Sequence, residues 1–218
     1  MSEIVIMKEI RGRNEEYALE NRARLAADHV LMVNVMGAPG SGKTTLVKAL
    51  CNELRARGIE SAVIEGDLYS TIDTDEFERE GYRALQINTE GECHIDANVV
   101  RQGYDRLDMK EGVVFVENVG NLICPAEFDL GEGLKIIAAS VPEGDDKPYK
   151  YVPMYSYVDA VILTKCDLKE AVGFDTEYFT KGLRALNDAP VIETSVTGRG
   201  ASGIAEATDL IEKCYKGI

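Results

Sequence analysis

Eight consecutive residues, Gly37-Ala38-Pro39-Gly40-Ser41-Gly42-Lys43-Thr44, have the composition and spacing of a phosphate-binding loop. Glycines at these steps let the backbone close around phosphate oxygens with its N–H groups turned inward. Lys43 would neutralise the β- and γ-phosphates of a nucleoside triphosphate, and the Thr44 hydroxyl would bind Mg²⁺. The predicted nucleotide contacts here are Gly37, Pro39, Gly40, Ser41, Gly42, Lys43, Thr44 and Thr45.

Two acids are candidates to complete a centre for triphosphate hydrolysis. Asp67 closes the run Glu65-Gly66-Asp67, and Glu117 closes an apolar run and leads into Asn118-Val119-Gly120. A carboxylate at either strand end could hold Mg²⁺ directly or through water. The second has the shape of a Walker-B and switch region, with Glu where Asp is commoner. Lys43, Thr44, Asp67 and Glu117 form the predicted catalytic set, with Asp67 the acid expected nearest the attacking water. Taken singly, each acid is equally readable as an ordinary strand-end carboxylate.

Base recognition is read from Thr164-Lys165-Cys166-Asp167, which resembles the Asn-Lys-x-Asp guanine motif. The Asp167 carboxylate would accept the two N–H donors on the guanine edge, a pair that adenine lacks. The Lys165 stem would pack along the base, and Thr164 departs from the pattern. Ser195 and Val196, in Ser195-Val196-Thr197-Gly198, resemble the last guanine-contacting loop. The order of these pieces favours GTP over ATP, with GDP as product.

Cys93, His94 and Cys124 offer two sulfurs and an imidazole, a set that suits Ni²⁺ or Zn²⁺ rather than Mg²⁺. Three ligands leave a site incomplete, and a two-fold dimer would supply more. The bare residues leave the alternative open that Cys93 and Cys124 only pack and His94 only starts a helix. Cys51, Cys166 and Cys214 read as packing thiols, and His29 as the end of the first helix.

These residues need a frame. Apolar β-branched runs at residues 30–36, 61–65, 83–87, 113–116, 134–140, 160–164 and 191–193 read as strands. Helical patterns at 42–57, 94–107, 176–186 and 204–215 alternate with them. In 42–57, Leu46, Leu50 and Leu54 form one stripe and Gly58 is the stop. Residues 14–27 read as an extra helix with Leu19, Ala23 and Ala26 on its apolar face, and residues 1–13 as an extended arm. The alternation predicts an α/β three-layer P-loop NTPase fold, with a mostly parallel central sheet and helices on both faces. Ligands in such sheets bind at the carboxyl ends of the strands. The expected organisation is residues 1–29 as an arm and helix packed on the core, and 30–218 as the nucleotide-binding domain.

Composition supports this frame. The chain has 218 residues, 45% of them apolar, enough for a substantial core. Five scattered cysteines do not suggest a disulfide framework. No run reaches the roughly 20 apolar residues that span a bilayer, and residues 1–24 show no signal core, so a cytoplasmic protein without a membrane role is expected. A net charge of −14 argues against nucleic acid as a partner.

Three segments together point further. They are Glu117-Asn118-Val119-Gly120-Asn121-Leu122-Ile123-Cys124-Pro125, the upstream Asn88-Thr89-Glu90-Gly91-Glu92-Cys93-His94-Ile95-Asp96, and the downstream Glu143-Gly144-Asp145-Asp146-Lys147-Pro148. The combination closely resembles the HypB family, GTPases for nickel insertion into [NiFe]-hydrogenases and relatives of the urease chaperone UreG. The resemblance covers nearly the whole chain from about residue 14 on. It implies a GTPase that dimerises when GTP is bound. Cys93, His94 and Cys124 would bind nickel or zinc at the dimer interface, and Lys147 would reach nucleotide across it. A HypA-type nickel chaperone and the hydrogenase large-subunit precursor are the implied partners. Some members carry a Cys-rich N-terminal nickel site or a His-rich tract, which this sequence does not show. The rival expectations are a GTPase chaperone of another metalloenzyme, such as urease or a cobalamin-dependent enzyme, and a P-loop small-molecule kinase.

Overall fold

The computed structural model describes the backbone of residues 2–67, 72–88 and 93–218, and the side chains of residues 12–66, 74, 76–88 and 93–218. The elements run, in order, α1 (Ser2–Ala27), β1 (Val30–Met36), α2 (Lys43–Ala56), β2 (Ser61–Asp67), α3 (Ile72–Arg79), β3 (Arg83–Asn88), α4 (Ala97–Leu107) and β4 (Gly112–Glu117). They continue with β5 (Leu134–Ser140), α5 (Lys147–Lys150), α6 (Val152–Ser156), β6 (Ala160–Thr164), α7 (Lys169–Val172), α8 (Thr176–Arg184), β7 (Val191–Glu193), β8 (Ser195–Thr197), β9 (Gly200–Ser202) and α9 (Ile204–Tyr215).

The central sheet has the order β3-β2-β4-β1-β5-β6-β7, and every pairing in it is parallel. Strands buried on both faces need apolar residues at nearly every position, and β1, Val-Leu-Met-Val-Asn-Val-Met, is buried throughout. Its alternate residues Leu31, Val33 and Val35 pack under α2 and α9, with Leu46, Leu50 and Leu54 of α2 and Ile204, Ala207 and Ile211 of α9. Val30 and Met32 face the other way, toward Leu25 of α1 and Val100, Tyr104 and Leu107 of α4. Phe179 and Leu183 of α8 cover that second face further along, over Ile137 and Val161. The result is the three-layer α/β P-loop fold, and β1 sits between β4 and β5 at its centre.

Three expectations are corrected. Residues 2–13 are helical, continuous with α1, rather than an extended arm. Glu3, Met7, Lys8 and Glu9 are good helix formers, and only Gly12 interrupts them. The buried face of α1 is also not the one expected. Leu19 is 63% exposed and Ala23 and Ala26 are exposed, whereas Asn14, Ala18, Asn21 and Leu25 are buried. Those four follow i, i+4, i+7, i+11 spacing, and polar groups on the core choose this stripe over the more apolar one. Finally, α4 begins at Ala97, three residues after His94, because the Asp96 carboxylate caps it by accepting from Val99 N at 2.8 Å.

Candidate functional site

The turn from β1 into α2 has a local reason at each glycine. Gly40 (φ 73°) and Gly42 (φ 89°) lie in the left-handed region that other residues avoid. Gly42 is the N-cap of α2 and offers no side chain to satisfy the first helical N–H groups. Those donors and the helix dipole face the cavity, which is the physical basis of anion binding there. Lys43 is buried, with Nζ 3.2 Å from Ala38 O and 3.5 Å from Gly37 O. The buried Ser41 Oγ has no hydrogen-bond partner.

A cavity of about 500 Å³ opens over this turn, lined by Pro39, Gly40, Gly42, Lys43, Thr44 and Thr45. Glu65 and Gly66 of β2, Glu117 and the three residues after it, and Lys165 close its sides. Thr44 and Glu117 meet directly, the Thr44 hydroxyl donating to Glu117 Oε1 at 2.9 Å. A hydroxyl from the first turn of α2 and a carboxylate from the end of β4 are the hard oxygen donors that Mg²⁺ takes, so these two residues fit that ion. The Asp67 side chain lies outside the described residues, as do residues 89–92.

The turn is braced from two directions. From β4, a Cβ at Gly120 would stand 3.0 Å from Pro39 N and Cγ, and Asn121 bridges to Gly37 through the backbone. From β6, the Thr164 hydroxyl donates to Ser41 O at 2.6 Å and Lys165 Nζ to Gly40 O at 2.6 Å. Thr164 therefore anchors the phosphate loop, which is a structural use for the residue that departs from the Asn pattern. Lys165 adopts φ 58° and brings Cys166 and Asp167 into a 3₁₀ turn, Cys166–Leu168. Ser195 donates to Asp167 Oδ1 at 2.5 Å. Asp167 and Ser195 share a second depression of about 460 Å³ with Thr197 and Arg199. Val196 lies on the β8–β9 hairpin and is exposed.

Lys147 opens α5 and is mostly covered. It pairs with Asp146 at 2.9 Å, and Lys150 also bonds Asp146. The two lysines, Lys150 first, hold the Asp146 carboxyl down to about 2. Glu143, three residues before Asp146, opens the downstream motif but was given no role from sequence. Burial raises its carboxyl above the ordinary glutamate value even though Lys147, Lys165 and Lys43 lie around it.

The candidate soft ligands Cys93, His94 and Cys124 do not line this cavity. Cys93 is exposed, with Sγ 3.6 Å from Nδ1 of the half-buried His94. Cys124 opens the 3₁₀ turn Cys124–Glu127, next to the exposed Ile123. The His94 imidazole stacks on Phe128, with centroids 3.7 Å apart, and Phe128 follows that turn. Among the described residues no group of three or more His, Cys, Asp and Glu side chains is gathered closely enough to hold a metal ion. Cys51 is fully buried and its thiol is pushed up to about 12 by that burial. Cys166 and Cys214 are half-buried thiols, and His29 lies in the turn between α1 and β1 at φ 52°, against Tyr215.

A buried polar network joins the two regions. Asn118 Oδ1 accepts from Val119 N at 2.9 Å and from Ile95 N at 3.3 Å, and its Nδ2 donates to Asn34 Oδ1 at 3.2 Å. Asn34 donates onward to Glu132 Oε1 at 3.1 Å, and Glu132 Oε2 accepts from Leu130 N at 2.7 Å. Burial raises the Glu132 carboxyl, with Lys135 opposing the shift. One signal for this network was visible in the sequence. Asn34 interrupts an otherwise apolar strand, and a buried polar side chain requires partners.

Comparison with known proteins supplies the lineage. Residues 31–193 match the CobW/HypB/UreG nucleotide-binding domain family. The chain is 42% identical over 212 residues to the hydrogenase maturation factor HypB of Azotobacter chroococcum mcd 1, covering 96% of this chain and 68% of that protein. The crystal structure of HypB from Helicobacter pylori in complex with nickel superposes with a TM-score of 0.88 at 31% identity, covering 94% of this chain and 96% of that one. HypB from Archaeoglobus fulgidus superposes with a TM-score of 0.85 at 33% identity, covering 94% and 99%. Among the described residues no helix is long and apolar enough to cross a membrane. With the phosphate loop, the 117–120 segment that closes its cavity and these similarities in place, the chain belongs to the CobW/HypB/UreG family and, within it, to the HypB branch.

Proposed function

We propose that this chain hydrolyses GTP to GDP and phosphate and uses the cycle to hold and release nickel during [NiFe]-hydrogenase maturation. The observation that carries the reading is the single segment running from Glu117, bonded to Thr44 in the phosphate cavity, through Asn118 and Gly120 to Cys124. One end of this segment touches the nucleotide cavity and the other carries a soft metal ligand.

In the reaction, water attacks the γ-phosphorus in line. The bond from phosphorus to the bridging oxygen breaks, and GDP departs with that electron pair. Lys43 and the backbone N–H groups of the loop stabilise the charge on the phosphate oxygens. Thr44 and Glu117 would hold Mg²⁺, which would offset the negative charge of the phosphates. Asp67 is the acid assigned to orient the water. Lys165 and Asp167 select guanine, with Ser195 and Val196 behind them. Among the relatives, the Helicobacter pylori protein is described in complex with nickel, and the Cys93, His94 and Cys124 set has the ligand chemistry for that ion.

Three ligands from one chain leave nickel under-coordinated, so the site is completed at a two-fold axis in the GTP-bound homodimer, where Lys147 reaches the neighbouring nucleotide. The nickel, or zinc in its place, is cargo received from a HypA-type chaperone and passed toward the hydrogenase precursor in the cytoplasm. Residues 1–29 act as an appendage of the 30–218 GTPase domain.

Two measurements test this reading. Phosphate release from GTP, with no acceptor added, should be nearly abolished by Lys43→Ala. Nickel affinity should differ between the protein loaded with a GTP analogue and with GDP, and equal affinities would break the coupling.

A further inference from the structure

Helix α1 carries two buried asparagines seven residues apart, Asn14 and Asn21, on the same face. Each spans the same gap. Asn14 Oδ1 accepts from Ala97 N at 2.9 Å, and its Nδ2 donates to Asp129 O at 2.8 Å. Asn21 Nδ2 donates to Ala97 O and to Leu130 O, both at 2.8 Å. Ala97 lies three residues after His94, and residues 129 and 130 lie shortly after Cys124. The helix is thus bonded to the two segments that bear the soft ligands. Outside, both Arg22 contacts to Asp129, at 3.1 and 3.0 Å, hold the second segment from the solvent side.

Buried backbone groups are costly to leave unpaired, so these bonds resist displacement. The bonded segments meet again at the ligand itself. Phe128, 9% exposed, stacks at 25° on the His94 imidazole. A ring held in one plane directs its nitrogens in fixed directions, as groups around a metal ligand commonly do.

We propose that α1 is a brace that sets the separation of the Cys93–His94 pair from Cys124. Asn14 and Asn21 are its positioning residues, and Phe128 passes the positioning to the imidazole. The proposal rests on the reading of Cys93, His94 and Cys124 as nickel ligands. It adds that metal affinity depends on a helix that contributes no ligand.

The test uses the full chain loaded with a non-hydrolysable GTP analogue, into which Ni²⁺ is titrated against a chelator. The thiolate-to-nickel absorption band is read alongside. Asn21→Asp keeps the size of the side chain and removes both donated bonds. Phe128→Leu removes the ring and leaves those bonds in place. Each should weaken nickel binding by about tenfold or more and shift the absorption band. GTP hydrolysis measured with Mg²⁺ and without nickel should stay within about twofold of the parent.

Wild-type nickel affinity and spectrum in a folded variant would overturn the brace, as would a parallel loss of hydrolysis. If Asn21→Asp fails to fold, Phe128→Leu decides by the same criteria. Cys93→Ser and Cys124→Ser separate the two claims. Nickel lost in these but retained in the brace variants overturns only the brace, and nickel retained in all of them overturns the ligand reading as well.

Discussion

The Thr44 hydroxyl donates a 2.9 Å hydrogen bond to Glu117 Oε1, joining the first turn of α2 to the end of β4. These residues are 73 positions apart in sequence and meet only because β1 and β4 are paired in parallel. Both offer hard oxygen to the same point of the phosphate cavity. Glu117→Gln preserves the shape and removes the charge. The Mg²⁺ concentration for half-maximal phosphate release should rise by about tenfold or more. A titration of activity against Mg²⁺ checks this, and an unshifted midpoint would take Glu117 out of the metal site.

Gly66 has no room for a side chain. A Cβ there would collide with Ile95 Cδ1, and would stand 2.7 Å from Ile95 Cγ1 and 3.3 Å from Glu117 O. Ile95 thus seats the strand end beside the Cys93–His94 pair by filling the space above this glycine. Gly66→Ala should cost about 1–3 kcal/mol by overpacking. Ile95→Ala alone should cost about 2–5 kcal/mol as a cavity. The double variant should lose clearly less than the sum, because each change relieves the other. Urea unfolding of the four proteins measures the coupling, and additive losses would show that the contact is not the reason.

Glu143 gives a pH dependence with a defined sign. Burial raises its folded-state value above the ordinary 4.5, and Oε1 has no hydrogen-bond partner. The folded protein therefore keeps this proton to higher pH than the unfolded chain does. The protonated carboxyl is tolerated at low pH, and stability is lost as pH rises through the folded-state value. Glu143→Gln should melt higher than the parent near about pH 7.5, with the gain fading toward about pH 4. Thermal melts of the nucleotide-free protein across that window check it. A gain independent of pH would assign the effect to something other than the buried charge.

The thiols should separate by accessibility. Cys51 is fully buried and held protonated to about 12, whereas Cys93 is exposed. The thiolate is the reactive species. Brief alkylation of the native protein near neutral pH should therefore label Cys93 and leave Cys51 unmodified. Peptide mass spectrometry reads the pattern, and Cys51 labelled as fast as Cys93 would contradict the packing of α2.

Much of the frame was legible before folding. The strand β1 and helix α2 stand where the apolar run and the leucine stripe put them, with Leu46, Leu50 and Leu54 all buried. Other elements were not legible. Helix α3 is short, and the β8–β9 hairpin is made of two three-residue strands that are mostly exposed, so the hairpin carries no apolar period to read. The burial of α1 reversed the apolar logic. Leu19 went to solvent while Asn14 and Asn21 went inward, because four backbone groups of distant segments needed partners there.

The sequence by itself determined the phosphate loop. Its glycines, Lys43 and Thr44 are contiguous, and their chemistry is a property of local backbone conformation. It also located the seven strands of the central sheet along the chain, since burial on both faces demands apolar runs. Only the tertiary structure decided that Thr44 bonds Glu117, that Thr164 and Lys165 brace the loop, and that α1 ties the Cys93–His94 segment to the one after Cys124. Those contacts depend on which strands lie side by side and which carbonyls are left buried at their ends. No local spacing carries that information, because the partners are brought together by the order of strands in the sheet.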